Sequence, residues 1–316
     1  MKIGIIGAGA MGSIVGARLA KAGIDVTLFD TWREHADAIR TNGLTIEMDD
    51  GPFTVTLPIH DRPAPDMRFD IVVTLVKSHS TRAAAMIARE HLAEGGAVIS
   101  FQNGLGNEEV IAEVIGPDRT LGGTLYFGGN VIGPAHVKHS NPHAGIAVGG
   151  LTPEGQGPAR HLAEALRAAD FECRVEDDVM AVKWQKALLN VGTNPFATIL
   201  NLPNRAAGDI PGIRQAMIAC CAEAIAVAKA KGVRLPGGDD PHDYVRQGTD
   251  VHNYEHKSSM CIDLAAGRKT EVDFMNGAIS AFGAQYGVPT PLNTTVTAAI
   301  HRVEQEKRET AAGASG

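Results

Sequence analysis

The chain has 316 residues, long enough for two domains of ordinary size. Its apolar fraction of 44% and near-zero mean hydropathy are those of a globular protein. A formal net charge of −7 argues against nucleic-acid binding, which normally shows a basic excess, and no apolar run approaches bilayer-spanning length.

The N-terminus begins with a short apolar run of the kind a signal peptide carries, but its glycines have a better explanation and no cleavage region follows. Cys173, Cys220, Cys221 and Cys261 show no C-x-x-C spacing, so no disulfide framework is expected and the expected location is cytoplasmic. Lys2 to Ile6 reads as a buried strand, bounded at once by Gly7-Ala8-Gly9-Ala10-Met11-Gly12. A helical pattern follows to Gly23, and Val26 to Asp30 reads as a second strand. This is G-x-G-x-x-G in its required context: Gly7 permits the turn, Gly9 lets backbone approach a pyrophosphate, and Gly12 lets helix and strand pack closely. Ala8, Ala10 and Met11 complete the loop, and the helix N-terminus offers amides and positive potential to phosphates.

Asp30 stands where a ribose-binding carboxylate is expected and favours NAD(H) over NADP(H). Arg33 nearby could reverse that preference, and Asp30 could instead cap a helix over Glu34 to Ile39. Leu44–Met48 and Phe53–Leu57 read as a hairpin-like pair, and Phe69 to Leu75 as a buried parallel strand ending at Val76-Lys77-Ser78. A helix over Thr81 to Leu92 and a strand over Ala97 to Ser100 lead to Phe101-Gln102-Asn103-Gly104. Lys77 and Asn103 thus sit at strand ends, where such a sheet binds its ligand, and each is either a site residue or an ordinary loop polar residue.

From Leu121 to Glu176 the pattern turns to short strands (Thr124–Phe127, Ala135–His139, Ile146–Gly149), a helix from Pro158 to Ala168, and a strand over Phe171–Val175. His136, His139 and His143 fall here without a completing cysteine or carboxylate, so they read as solvated histidines and no metal site is expected. Beyond Asp178 the chain reads as helical: Asp178–Leu200, Ile213–Lys231, Pro241–Arg268 with interruptions, Glu271–Tyr286 and Asn293–Glu309. The expected fold class is therefore α/β, a Rossmann-type dinucleotide-binding domain over 1–177 followed by an all-α domain over 178–316 for substrate and dimerisation. The cleft between them is the default substrate site.

Within the first of these helices Lys186, Asn190 and Asn194 recur every fourth residue and share a face. They could form a proton donor flanked by amides, or a solvated lysine with capping asparagines; Gly192 and Pro195 suggest that the helix is irregular near Asn194.

Five separated motifs resemble the ketopantoate reductase family (2-dehydropantoate 2-reductase) over nearly the whole chain. The most specific runs from Ser258-Ser259-Met260 through Gly267-Arg268-Lys269-Thr270-Glu271-Val272-Asp273 to Asn276-Gly277, and Gly287-Val288-Pro289-Thr290-Pro291 continues it. Trp184-Gln185-Lys186 with Asn190, Asn194 and Pro195 is similar to the family's catalytic helix; Lys77 and Asn103-Gly104 match its nucleotide domain. The resemblance implies reduction of an α-keto acid, 2-dehydropantoate to (R)-pantoate, by hydride from a nicotinamide cofactor with Lys186 as general acid. It also implies that Asn103, Asn190 and Asn194 orient substrate or nicotinamide, that Ser259 takes the substrate carboxylate, and that Glu271 binds a substrate hydroxyl and positions Lys186. On the residues alone Glu271 could be a first-turn helix carboxylate and Ser259 a hydroxyl bonded to its own helix.

Two departures stand out: His256 replaces an asparagine that helps hold the substrate in many members, and Asp30 replaces the basic pattern of NADP-using members. An NAD-dependent D-2-hydroxy acid dehydrogenase of the same fold is the alternative. A zinc hydrolase built on His252-Asn253-Tyr254-Glu255-His256 and a non-catalytic NAD(H) sensor are more remote. The expected partner is a small keto acid, with no nucleic acid or membrane, and a homodimer is possible on an apolar helical domain.

Overall fold

The computed structural model describes residues 1–250 and 257–313. The chain forms two compact units: Met1–Gln102 with Asn107–Met180, and Asn103–Gly106 with Ala181–Gly316. The short Asn103–Gly106 stretch, which chain order puts among the strands of the first, packs with the second.

The strands are β1 (Lys2–Ile6), β2 (Asp25–Phe29), β3 (Leu44–Glu47), β4 (Phe53–Val55), β5 (Ile59–His60), β6 (Phe69–Thr74), β7 (Leu92–Ser100), β8 (Thr120–Leu125), β9 (Gly128–Gly133), β10 (His136–Ser140), β11 (Ile146–Gly150) and β12 (Cys173–Val175). Their helices are α1 (Ala10–Lys21), α2 (Arg33–Asn42), α3 (Thr81–His91), α4 (Asn107–Ile115) and α5 (Gln156–Ala168). Eight strands form a sheet in the order β12-β11-β8-β7-β6-β1-β2-β5. All its pairings are parallel except β11 with β8. Because β2 lies on one side of β1 and β6 on the other, the strand order reverses at the carboxyl end of β1, where ligands bind such sheets.

Apolar runs cover both faces of this sheet. Ile3, Ile5, Ile71, Val73 and Ile99 pack with Ile14, Val15 and Leu19 of α1. Ile6, Val72 and Val98 pack with Ala84, Ala85 and Ala88 of α3 and Ile111 of α4. That two-sided burial is why these strands read as continuous apolar runs rather than alternating ones. A second, four-stranded sheet has the order β4-β3-β10-β9, with β3 and β4 antiparallel as the hairpin-like pattern suggests.

The second unit is helical: α6 (Val179–Leu200), α7 (Asn204–Gly208), α8 (Pro211–Ala230), α9 (Pro241–Asp250), α10 (Ser259–Ala265), α11 (Asn276–Tyr286) and α12 (Pro291–Gly313). Trp184, Leu188 and Val191 of α6 are buried, as are Met217, Cys220, Cys221 and Ala224 of α8. The two helices meet closely at Gly192, where a Cβ would lie 3.3 Å from Cβ of Cys221.

Several sequence expectations change. Helix α6 runs through Pro195 to Leu200, as the reading of Asp178–Leu200 has it, without ending at the irregularity that Gly192 and Pro195 suggest near Asn194. The helix expected from Glu271 starts at Asn276, after a 3₁₀ turn over Val272–Phe274, so Glu271 is not in the first turn of a long helix. Helices α4 and α7 and strands β5 and β9 escape the sequence pattern; in α4 the apolar Val110, Ile111, Val114 and Ile115 do recur at helical spacing. By length and composition alone α8 is long and apolar enough to cross a membrane. This corrects the reading that no run approaches that length. Of that stretch 39% is buried, Met217, Cys220, Cys221, Ala224, Val227 and Ala228 being wholly inaccessible to solvent.

Candidate functional site

The glycine loop lies at the switch point of the large sheet. Gly7 has φ of +104° and its amide donates to Phe29 O at 2.8 Å; a Cβ there would lie 2.6 Å from the backbone of Leu75 and Val76, at the end of the neighbouring strand. A Cβ on Gly12 would overlap the Gly7 carbonyl oxygen, so this residue fixes the approach of α1 to the loop. A Cβ on Gly9 would meet nothing within 4 Å. Gly9 is therefore not demanded by the protein's own packing, which fits a position that must stay open for a ligand. Helix α1 starts after Gly9, and its first intrahelical bond is Ser13 N to Gly9 O at 2.9 Å. The amides of Ala10, Met11 and Gly12 accordingly have no helical acceptor, and no acidic side chain in the first turn opposes an anion there. A dinucleotide pyrophosphate fits this cradle.

Asp30 closes the loop from the end of β2. Its Oδ2 accepts from Ala8 N at 2.6 Å and its Oδ1 from Trp32 N at 2.9 Å. It caps neither end of α2, whose N-cap is Trp32. A carboxylate has about four lone-pair positions, so acceptor capacity remains for ribose hydroxyls. Ala8 is held from its other side by a chain invisible in the sequence. Ala135 N–H donates to His35 Nδ1 at 3.1 Å, which leaves the proton on Nε2 to face Ser13 Oγ at 3.2 Å. The Ser13 hydroxyl then donates to Ala8 O at 2.8 Å. Burial holds the His35 imidazole below its usual range, so it stays neutral as this bonding requires. Lys77 is exposed beside the 3₁₀ turn Ser78–Ser80 of the same unit.

In the second unit Lys186 Nζ donates to Asn103 Oδ1 at 3.0 Å. Part of the lysine reaches solvent, but its ammonium lies deep among protein atoms, and its pKa is pushed down to about 8, first by burial and then by the charge of Lys183. Asn103 is delivered by a tight turn: Gly104 has φ of +84°, and a Cβ there would overlap the Phe274 carbonyl oxygen. Leu105 N donates to that same oxygen at 2.7 Å, which ties the turn to the residues following Glu271.

Asn190, partly buried, and Asn194, buried, follow Lys186 at four-residue steps along α6. Asn194 Oδ1 accepts from Asn204 Nδ2 at 3.1 Å, which leaves the Asn194 nitrogen to be directed elsewhere. Asn204, which thus holds Asn194, was not singled out in the sequence; its signal was only a polar residue after Pro203 at a helix start. At the start of α10 it is Ser258 that caps the helix, its hydroxyl accepting from Cys261 N at 3.2 Å, while Ser259 is exposed. Glu271 is partly buried and engaged with other groups. His256, and the H-x-x-E-H run that ends on it, lie outside the described residues.

One histidine reading is overturned. His139 is not solvated but has no exposed surface, packed edge-on to Phe127 at 4.7 Å between ring centroids. Burial, with the Arg18 charge second, pushes its pKa down to about 4. His136 is half-exposed and faces Glu47 at 3.1 Å, and His143 is exposed.

The chemistry of these two centres is that of a Rossmann-type oxidoreductase working with a nicotinamide dinucleotide. Comparison with known proteins narrows the class. Residues 3–152 match the family described as Ketopantoate reductase PanE/ApbA and residues 178–304 match its C-terminal part, so the chain belongs to the ketopantoate reductase family. It is 33% identical to the 2-dehydropantoate 2-reductase of Pyrococcus abyssi over 93% of this chain and 94% of that one. The Pyrococcus horikoshii enzyme of the same name is 32% identical, over 96% of this chain and 98% of the relative. Among solved structures, a PanE/ApbA family ketopantoate reductase from Ralstonia eutropha superposes with a TM-score of 0.88 at 30% identity, covering 98% of this chain and 100% of that one. D-mandelate dehydrogenase in ternary complex with NADH and anilino(oxo)acetate superposes with a TM-score of 0.90 at 25% identity, covering 98% and 99%.

Proposed function

We propose that this protein reduces an α-keto acid, 2-dehydropantoate before others, to the (R)-2-hydroxy acid with NADH, and that Lys186 is the proton donor. The observation that carries this reading is the deep ammonium of Lys186, aimed by Asn103 Oδ1 at 3.0 Å and poised near pKa 8. A donor whose pKa lies close to working pH transfers its proton most effectively, and the same charge stabilises the developing alkoxide.

The bound dinucleotide supplies the hydride. Gly9 and the amides at the start of α1 receive its pyrophosphate, and Asp30 takes the ribose hydroxyls while repelling a 2′-phosphate. Lys77, at its strand end, is assigned to the cofactor as well. In the second unit Asn103 orients the Lys186 ammonium and substrate. Asn190 and Asn194 direct their amides at the substrate, with Asn194 steadied by Asn204. Ser259, whose exposed hydroxyl the cap leaves available, donates to the substrate carboxylate, and Glu271 takes a hydroxyl and helps position Lys186. The proton lost from Lys186 is regained from solvent before the next turnover.

The likeness to D-mandelate dehydrogenase favours a second reading, an NAD-dependent D-2-hydroxy acid dehydrogenase acting on another keto acid. A panel of 2-dehydropantoate, 2-oxoisovalerate and phenylglyoxylate with NADH and NADPH decides between them. The highest kcat/KM with 2-dehydropantoate supports the first reading; a preference for phenylglyoxylate transfers the assignment to the second. No turnover with any of them would sink both.

A further inference from the structure

Helix α6 contains Pro195 in its interior. In an unbroken helix the N–H of residue 195 would donate to the carbonyl of residue 191. Proline has no N–H, and its ring crowds that carbonyl. Val191 is completely buried, so its freed oxygen must find a donor inside the protein. Asn276 Nδ2 donates to it at 3.1 Å from 85 residues away, and the Cys220 thiol approaches it at 3.8 Å.

The orientation of the Asn276 amide follows from its neighbours. The Glu223 carboxylate accepts from Leu292 N at 2.9 Å, Asn293 N at 3.0 Å and Asn293 Nδ2 at 2.8 Å. Asn293 Oδ1 is thereby turned towards Asn276, whose Nδ2 donates to it at 3.0 Å. With its nitrogen committed to Asn293 and Val191, Asn276 Oδ1 is buried with no partner. Turning the amide over would set that oxygen against two other acceptors. The orphaned Oδ1 is thus the cost of serving the Val191 carbonyl.

We propose that Asn276 is a positioning residue for the reaction: it supplies the hydrogen bond that Pro195 denies to Val191, and so fixes the α6 segment that carries Asn190 and Asn194 beyond Lys186. This rests on the reading of those residues as the keto acid site. Asn276 touches no reacting group; it acts through the backbone of the helix that bears them.

The test is a double-mutant cycle between Asn276→Ala and Pro195→Ala in the full-length protein, reading keto acid KM, kcat, NADH Kd and urea stability. Asn276→Ala should raise the keto acid KM about tenfold while changing the NADH Kd less than about twofold. In the Pro195→Ala background residue 195 regains an N–H for Val191, and the same substitution should raise KM less than about threefold. Equal effects in both backgrounds overturn the proposal, as does a loss of urea stability with unchanged KM. Should Asn276→Ala prove insoluble, Asn276→Ser carries the same cycle with the same thresholds. Lys186→Ala run alongside separates the failures. Retained turnover there sinks the site reading whatever the cycle gives, whereas its collapse beside an additive cycle sinks only the role of Asn276.

Discussion

Replacing Lys186 by alanine removes the ammonium that donates to Asn103 and leaves the glycine loop and Asp30, in the other unit, untouched. General acids contribute roughly two to four orders of magnitude, so reductive kcat should fall by that span while NADH binding persists. The pH dependence gives a sharper signature. With a pKa near 8, about ten lysines in eleven are protonated at pH 7 and about one in eleven at pH 9, so kcat/KM for reduction should drop about tenfold between them. The sign follows from the direction of reaction: reduction needs the protonated form and is lost as pH rises through 8, while hydroxy acid oxidation should rise over the same range. Lys183→Met removes a like charge and should move the inflection upward. Lys186→Arg should recover little, because guanidinium keeps its proton. Stopped-flow NADH absorbance across pH 6 to 10 measures all of these. An alkaline fall that persists unchanged in Lys186→Ala, or near-normal kcat there with collapse in Lys77→Ala, would refute the assignment.

Gly9→Ala should fold normally, since its Cβ meets nothing, yet weaken NADH about tenfold or more by filling the open face of the loop. Gly12→Ala, whose Cβ overlaps the Gly7 carbonyl, should instead lose about 1–3 kcal/mol of stability; thermal melts with NADH titrations read both, and the reverse pattern would mean that Gly9 serves packing. Asp30→Ala should narrow the NADH-over-NADPH ratio of kcat/KM about tenfold and weaken both cofactors, because the Ala8 amide loses its acceptor. An unchanged ratio would move the discrimination to Arg33. His139, neutral when folded with a pKa near 4 against 6.5 when free, contributes stability that is fully present above about 6.5 and is lost as pH falls towards 4. His139→Leu should therefore flatten the acid limb of urea stability by on the order of 1–3 kcal/mol between pH 6.5 and 4. An equally steep limb in the variant would place the acid sensitivity elsewhere.

The parts of this protein legible in its sequence are those whose cause is local. The glycine loop, the acid at the end of β2 and the four-residue spacing of Lys186, Asn190 and Asn194 each follow from backbone geometry within a few residues, where a turn, a strand end or a helix face leaves a readable pattern. Strand β9 is the opposite case: its glycine-rich sequence has little strand tendency, and antiparallel pairing with β10 makes it one. The His139 reading failed for a related reason, since burial is a property of what packs around a residue and Phe127 supplies it from the turn between β8 and β9. Nor could spacing show that Asn103 leaves its strand to meet Lys186, 83 positions on, or that His35 and Ser13 hold the glycine loop from behind. Pro195 marks the limit most clearly. Local rules treat a proline inside a helix as a break, because it removes a donor and exposes a carbonyl. The helix over Asp178–Leu200 was legible across that proline, but only the tertiary structure supplies Asn276 to meet the buried Val191 carbonyl.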